Sequence, residues 1–236
     1  MERGEAEAVY DRRPAWAKGS ISRSDARFLF DRAVQGSGDA IVEIGTASGV
    51  SSAVLCAAAE QRATACTVVS YDISPTYYGD RRRRTGSAAL EMLSEGQLSH
   101  LKLRNPATAL DVCDDYLEDS LGFAFIDAAH KHPWPALDLL AILPALQPGA
   151  EVALHDINLP LINPDWQAWG VKYLFDELDL DKHVDVTSET PNIGSIVVPE
   201  DKVSLRQQAI ETIAAHDHEV EAPEETLKLA LPPAAG

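Results

Sequence analysis

Positive charge is scarce in this chain: 20 lysines and arginines face 37 acids, a formal net charge of −17 over 236 residues. Such a surface repels phosphate backbones and anionic headgroups, which argues against nucleic acid and disfavours membrane surfaces as partners. Long apolar runs are missing too, with nothing near the roughly 20 residues that span a bilayer. The opening MERGEAEAVYDRRPAW lacks the basic-then-apolar layout of a secretion signal. Cysteine is sparse: Cys56, Cys66 and Cys113 are odd in number and not closely paired, which fits buried thiols in a reducing cytoplasm. The one concentration of positive charge, GDRRRRTG, holds Arg81 to Arg84. It reads either as a clamp for an anionic substrate or as a solvated helix start that offsets local acidity.

Hydrophobic residues make up 45% of the chain, enough for one α/β domain with short extensions. Apolar runs that read as strands (AIVEIG, CTVVSYD, HLKLR, GFAFID, AEVALHD) alternate with helical patterns (VSSAVLCAAAEQ, TGSAALEMLSEG, PATALDVCDDYLED, PWPALDLLAILPAL). KHVDVTS and NIGSIVVP then pair as an antiparallel hairpin before a last helix, KVSLRQQAIETIAAH. The expectation is a Rossmann-like, doubly wound, mostly parallel seven-stranded sheet closed by a C-terminal antiparallel hairpin. Residues 1–21 read as an N-terminal extension, 22–216 as the domain and 217–236 as a flexible tail. In such sheets ligands bind beyond the carboxyl ends of the strands. Those ends carry Glu43 and Gly45, Asp72, Asp127, and His155 with Asp156.

A glycine is also missing where a dinucleotide site needs one. In EIGTASG, Gly45 and Gly49 allow a sharp turn into a helix, yet the middle glycine of G-x-G-x-x-G is absent. Glu43, just before the turn, repels a pyrophosphate and suits a ligand with a cationic amino group. Asp72, at the end of the next strand, is placed to hold ribose hydroxyls. The implied ligand is a nucleoside with a positively charged, phosphate-free tail.

With these residues, and with FAFIDAAH followed by VALHD, the chain resembles the class I S-adenosylmethionine-dependent methyltransferases over roughly residues 22–199. The resemblance implies that Gly45, Thr46 and Gly49 line the methionine part of S-adenosylmethionine, that Asp72 holds its ribose, that Asp127 lies near its sulfonium, and that Glu43 and Ser51 belong to the same cofactor site. The D-x-x-H of Asp127 and His130 is similar to metal-dependent O-methyltransferases acting on sugars and natural products. That likeness implies a divalent metal, Mg or Mn, on Asp127, His155 and Asp156, with His130 as base. His155 stands where those enzymes have Glu, and imidazole suits Mg poorly. Ile157 follows Asp156 where catechol-type enzymes have Asn, so Asn158 is the candidate replacement.

The expected partner is a small-molecule acceptor, with Trp134, Trp166 and Trp169 either walling its pocket or packing elsewhere. A homodimer is expected from the resemblance alone. Alternatives are metal-independent N- or O-methylation of a small molecule, a nicotinamide-dependent oxidoreductase, and a non-catalytic cofactor-binding protein. The absent glycine and Glu43 count against the oxidoreductase.

Overall fold

The runs AIVEI, TVVSY and LGFAFI are buried along almost their whole length, as strands of a parallel sheet covered on both faces must be. The structure, a computed structural model, describes residues 4–230; residues 1–3, and 231–236 of the expected tail, lie outside the described residues. One sheet contains β1 (Ala40–Ile44), β2 (Thr67–Tyr71), β3 (Leu101–Arg104), β4 (Leu121–Ile126), β5 (Leu146–His155), β6 (Lys182–Val184) and β7 (Ile193–Val197). Their order is β3-β2-β1-β4-β5-β7-β6. The first five strands run parallel, and β7 pairs antiparallel with both β5 and β6, which forms the expected closing hairpin.

The helices are α1 (Glu5–Tyr10), α2 (Arg23–Gln35), α3 (Val50–Gln61), α4 (Ser87–Met92), α5 (Glu95–Leu98), α6 (Val112–Asp115), α7 (Trp134–Ile142), α8 (Leu159–Ile162), α9 (Gly170–Glu177), α10 (Lys202–Ala215) and α11 (Glu224–Leu227). None of the described helices is long and apolar enough to cross a membrane. Side-chain alternation along each strand divides the interior in two. Ile41, Val68, Phe123, Phe125 and Ala153 pack towards α1 to α4. Val42, Ile44, Val69, Ala124, Ile126 and Leu154 pack towards α7, α9 and α10. The small side chains of VSSAVLCAAA leave α3 buried from Val50 to Ala59.

Two expected helices are shorter than their patterns imply. TGSAALEMLSEG breaks after Met92, because Ser94 caps a new turn through a capping box with Gln97. PATALDVCDDYLED gives a 3₁₀ turn, Ala109–Asp111, and the single turn α6. Val, Cys, Asp and Tyr favour helix weakly, and Asp115 is drawn instead to the Tyr71 hydroxyl at 2.7 Å and Arg104 at 2.7 Å.

Both extensions are tied to the body. Tyr77 Oη donates to the Lys18 carbonyl at 2.5 Å, and Tyr78 Oη donates to that of Gly19 at 3.1 Å. In the stretch read as a loose tail, Glu219 accepts hydrogen bonds from the backbone N–H of His132 and of Trp169. Leu227 and Leu229 pack on the main core.

Candidate active site

The direction of chain travel reverses between β1 and β4, and at this switch point the strand ends part to leave a crevice. A cavity of about 780 Å³ opens there, within the range of small-molecule sites. Its lining includes Gly45, Ala47, Asp72, Asp127, His130, His155 and Asp156 from the sequence-read loops, together with Ser20, Ser22, Asp25, Asp138 and Asn192.

Gly45 has φ +99°, and a Cβ there would fall against the Asp127 carbonyl, well inside van der Waals contact. The turn therefore lets β1 and β4 approach as closely as it lets a ligand approach. Gly49, at φ +94°, faces the backbone of Gly86 in the same way, with a Cβ only 2.8 Å from its Cα. Asp72 fixes the outside of the turn: its Oδ2 accepts from Ala47 N at 2.8 Å and its Oδ1 from Ser74 N at 2.8 Å. Each oxygen keeps a lone pair for a ligand hydroxyl.

Glu43 is not brought to the cavity. It shares the strand face of Ile41 and points under α3, fully buried, where Ser52 Oγ donates to it at 2.5 Å and Ser70 Oγ also donates to it. Burial pushes its carboxyl up to about 7, against the lowering effect of the neighbouring serine hydroxyls. Its Oε1 has no hydrogen-bond partner. Thr46, Gly49 and Ser51 are likewise buried behind the turn rather than in the lining.

At the other end of the crevice, Asp127, His130 and Asp156 bring one donor atom each to within 4.8 Å of one another. His130 Nδ1 lies 3.3 Å from Asp156 Oδ2, yet it is buried without a hydrogen bond. Asp156 adopts φ +67°, a left-handed conformation that Asp tolerates better than most residues. Asn192 holds it there: Nδ2 donates to Asp156 Oδ1 at 2.6 Å, and the Asn192 carbonyl accepts from Asp156 N at 2.7 Å.

Two expectations about this corner need correction. His155 does not join the cluster as a third ligand. It has the strand parity of Ala153, so it turns towards α2, and carboxylates hold both ring nitrogens: Asp127 Oδ1 lies 3.2 Å from Nδ1 and Asp25 Oδ2 lies 3.3 Å from Nε2. Burial alone would lower its pKa, but the charge of Asp127, its hydrogen bonds to Asp127 and Asp25, and the charge of Asp156 raise it well above the usual imidazole value. A protonated ring with both nitrogens engaged offers no lone pair to a cation. Asn158 does not stand beside Asp156 either; its Nδ2 donates to the Pro191 carbonyl and its Oδ1 accepts from Lys172 Nζ. Asn192 occupies the place expected for it.

Trp134 and Trp166 line the cavity, whereas Trp169 stacks on Tyr173 with ring centroids 5.8 Å apart. His132 is outside the site, with Nε2 3.2 Å from the Ile213 carbonyl. The arginine run does not reach the cavity: Arg82 pairs with Asp80, and Arg83 reaches Glu91 while its guanidinium lies 3.9 Å above the Trp16 ring. Sequence reading missed Asp25 and Asn192. Asp25 has the signature of a capping box, which it does form with Ser22, and nothing local shows that the same Oδ2 also meets His155.

Residues 42–157, just under half of the chain, match a family model described as a methyltransferase domain. No match was found among curated proteins. Among solved structures, the fold is similar to the O-methyltransferase TomG of Streptomyces achromogenes, involved in tomaymycin synthesis and solved with S-adenosylmethionine. That match has 20% identity and a TM-score of 0.57, over 81% of this chain and 89% of that one. It is also similar to a Podospora anserina methyltransferase bound to S-adenosylhomocysteine, at 17% identity and a TM-score of 0.57, over 84% of this chain and 88% of that one. An O-methyltransferase of Bacillus cereus with S-adenosylhomocysteine gives 17% identity and a TM-score of 0.54, over 83% of this chain and 90% of that one.

Two variants test the turn. Gly45→Val is expected to lose the rise in thermal midpoint that S-adenosylhomocysteine gives the wild type; an undiminished rise would show that the turn does not need glycine. Glu43 has a folded pKa above its unfolded one, so its contribution to stability is complete at low pH and falls as pH rises from about 4.5 to about 7. Glu43→Gln is therefore expected to gain stability over the wild type at pH 8, by up to about 3 kcal/mol, and little at pH 4. Urea unfolding at the two pH values reads the difference.

Proposed function

We propose that this chain, whose residues 42–157 match a methyltransferase-domain model and whose fold is similar to that of O-methyltransferases, methylates a hydroxyl of a small molecule, a sugar or another natural product, with S-adenosylmethionine as donor. The observation that carries this reading is the charge of the cavity. Asp25, Asp72, Asp127, Asp138 and Asp156 line it with two histidines, and among the described residues no lysine or arginine does. A dinucleotide's diphosphate finds no counter-charge there, whereas a nucleoside bearing sulfonium and ammonium groups finds it in excess. Gly45 and Ala47 form the wall against the methionine part, Asp72 takes the ribose hydroxyls, and Asp127 faces the sulfonium.

Asp127, His130 and Asp156 have the donor chemistry for a divalent cation, and the orphaned Nδ1 of His130 fits that role. Two carboxylates with one imidazole suit Mn, Fe or Zn better than Mg. When bound, such a cation lowers the pKa of an acceptor hydroxyl. The chain's own residues position the reaction: Asn192 fixes Asp156, and Trp134, Leu159 and Trp166 offer an apolar wall that orients an acceptor and keeps water away. The 3.3 Å approach of Asp156 to Nδ1 favours a second, cation-free reading. There the nearby Asp156 carboxylate stabilises the imidazolium that forms as His130 accepts the hydroxyl proton, while the oxygen takes the methyl group from the sulfonium and S-adenosylhomocysteine leaves as the neutral thioether.

Methyl transfer from radiolabelled S-adenosylmethionine to a panel of hydroxylated acceptors tests the proposal. His130→Ala is expected to lower the rate by about 10²–10⁴-fold. Chelation should abolish it and Mn²⁺ restore it. A chelator-insensitive wild type selects the cation-free reading, and an unchanged rate in His130→Ala removes His130 from the reaction.

A further inference from the structure

One titratable group in the cavity has no task so far. Asp138 lies on α7, one turn beyond Trp134, and both side chains line the cavity from the same helix face. Its neighbours along α7 are leucines and alanines of the main core, and the facing wall after β3 is Ala107, Thr108 and Ala109. The Thr108 hydroxyl is already used, donating to Asp111 Oδ2 at 3.0 Å. Asp138 is only 9% exposed, and among the described residues it has neither a hydrogen bond nor a cation. A buried carboxyl without a partner is costly, so such a group in a cavity wall points to a ligand donor.

The chemistry of that donor follows from position. Asp72, at the end of β2, marks the ribose, and Asp127, at the end of β4, marks the sulfonium. The remaining lobe is bounded by Ile73 after β2, by Ala107 to Ala109 after β3 and by Trp134. Ile73, Ala107, Ala109 and Trp134 give it apolar faces, as a purine ring requires, and with the Thr108 hydroxyl engaged Asp138 is the side chain left to accept a hydrogen bond there. The one hydrogen-bond donor that adenine carries on its ring system, once joined to ribose, is the exocyclic amine.

We propose that Asp138 accepts a hydrogen bond from the adenine 6-amino group and so sets the enzyme's preference for an adenine nucleoside. This rests on the reading of the cavity as an S-adenosylmethionine site. Either protonation state provides an acceptor oxygen. Burial raises the carboxyl to about 7, so no fixed charge is needed for the contact.

The experiment is calorimetric titration of wild type, Asp138→Asn and Asp138→Leu. The two ligands are S-adenosylhomocysteine and its analogue with unsubstituted purine in place of adenine, which lacks only the amine. The wild type is expected to prefer S-adenosylhomocysteine by about ten-fold. Asp138→Asn, whose amide oxygen also accepts, should keep most of that preference, and in Asp138→Leu the ratio should fall to about one. The leucine variant should also melt higher, because an unpartnered buried carboxyl is gone. A wild type that binds both ligands equally, or an Asp138→Leu that retains the wild-type ratio while both affinities fall together, assigns Asp138 a packing role and overturns the inference. A wild type that binds neither ligand overturns the cofactor reading itself, and the inference with it.

Discussion

Asp127 ends the approach of β4, Asp156 follows β5 and Asp25 reaches across from α2, so three carboxylates converge on the single imidazole of His155. Two like charges about 4 Å apart cost roughly 4 kcal/mol at the effective dielectric of a protein surface. The arrangement therefore depends on compensation. The His155 ring, held protonated by its neighbours, offsets part of the charge and ties α2 to the end of the sheet. One imidazolium cannot balance three carboxylates, and Asp72 adds a fourth along the same crevice. The surplus is left for what the cavity takes in, and a sulfonium nucleoside with an ammonium tail meets that need.

The backbone imposes the convergence. Parallel strands deliver their carboxyl ends to one edge, and the reversal between β1 and β4 opens the edge at that point. Gly45 permits the closest approach, since any side chain there would collide with the Asp127 backbone. The buried serines around Glu43 hold the turn from beneath, and Asp72 holds it from outside.

Much of this was legible in the sequence because it depends on local pattern. Apolar runs gave the strands, small residues gave the buried α3, and acids at strand ends marked the edge where ligands bind. The sheet and its closing hairpin follow from those patterns. Strand parity was the signal left unused. Read from Ile41 and Ala153, it turns Glu43 under α3 and His155 towards α2, away from the roles expected for them. Other features are not local at all. Asn192, just before β7, reaches Asp156 from 36 residues further along the chain, and Asp25 meets His155 across 130 residues. Asp138 sits in a helix whose sequence reads as plain core, and only the cavity shows that it lines a site.

The central claim is that this crevice binds a phosphate-free, cationic nucleoside. Its most direct test is calorimetric titration of the full chain with S-adenosylmethionine, set beside NADH under the same conditions. The account predicts binding of the former in the micromolar range or tighter, weakening as salt is raised, and no measurable binding of NADH. Tighter binding of NADH, or no binding of S-adenosylmethionine, would contradict it.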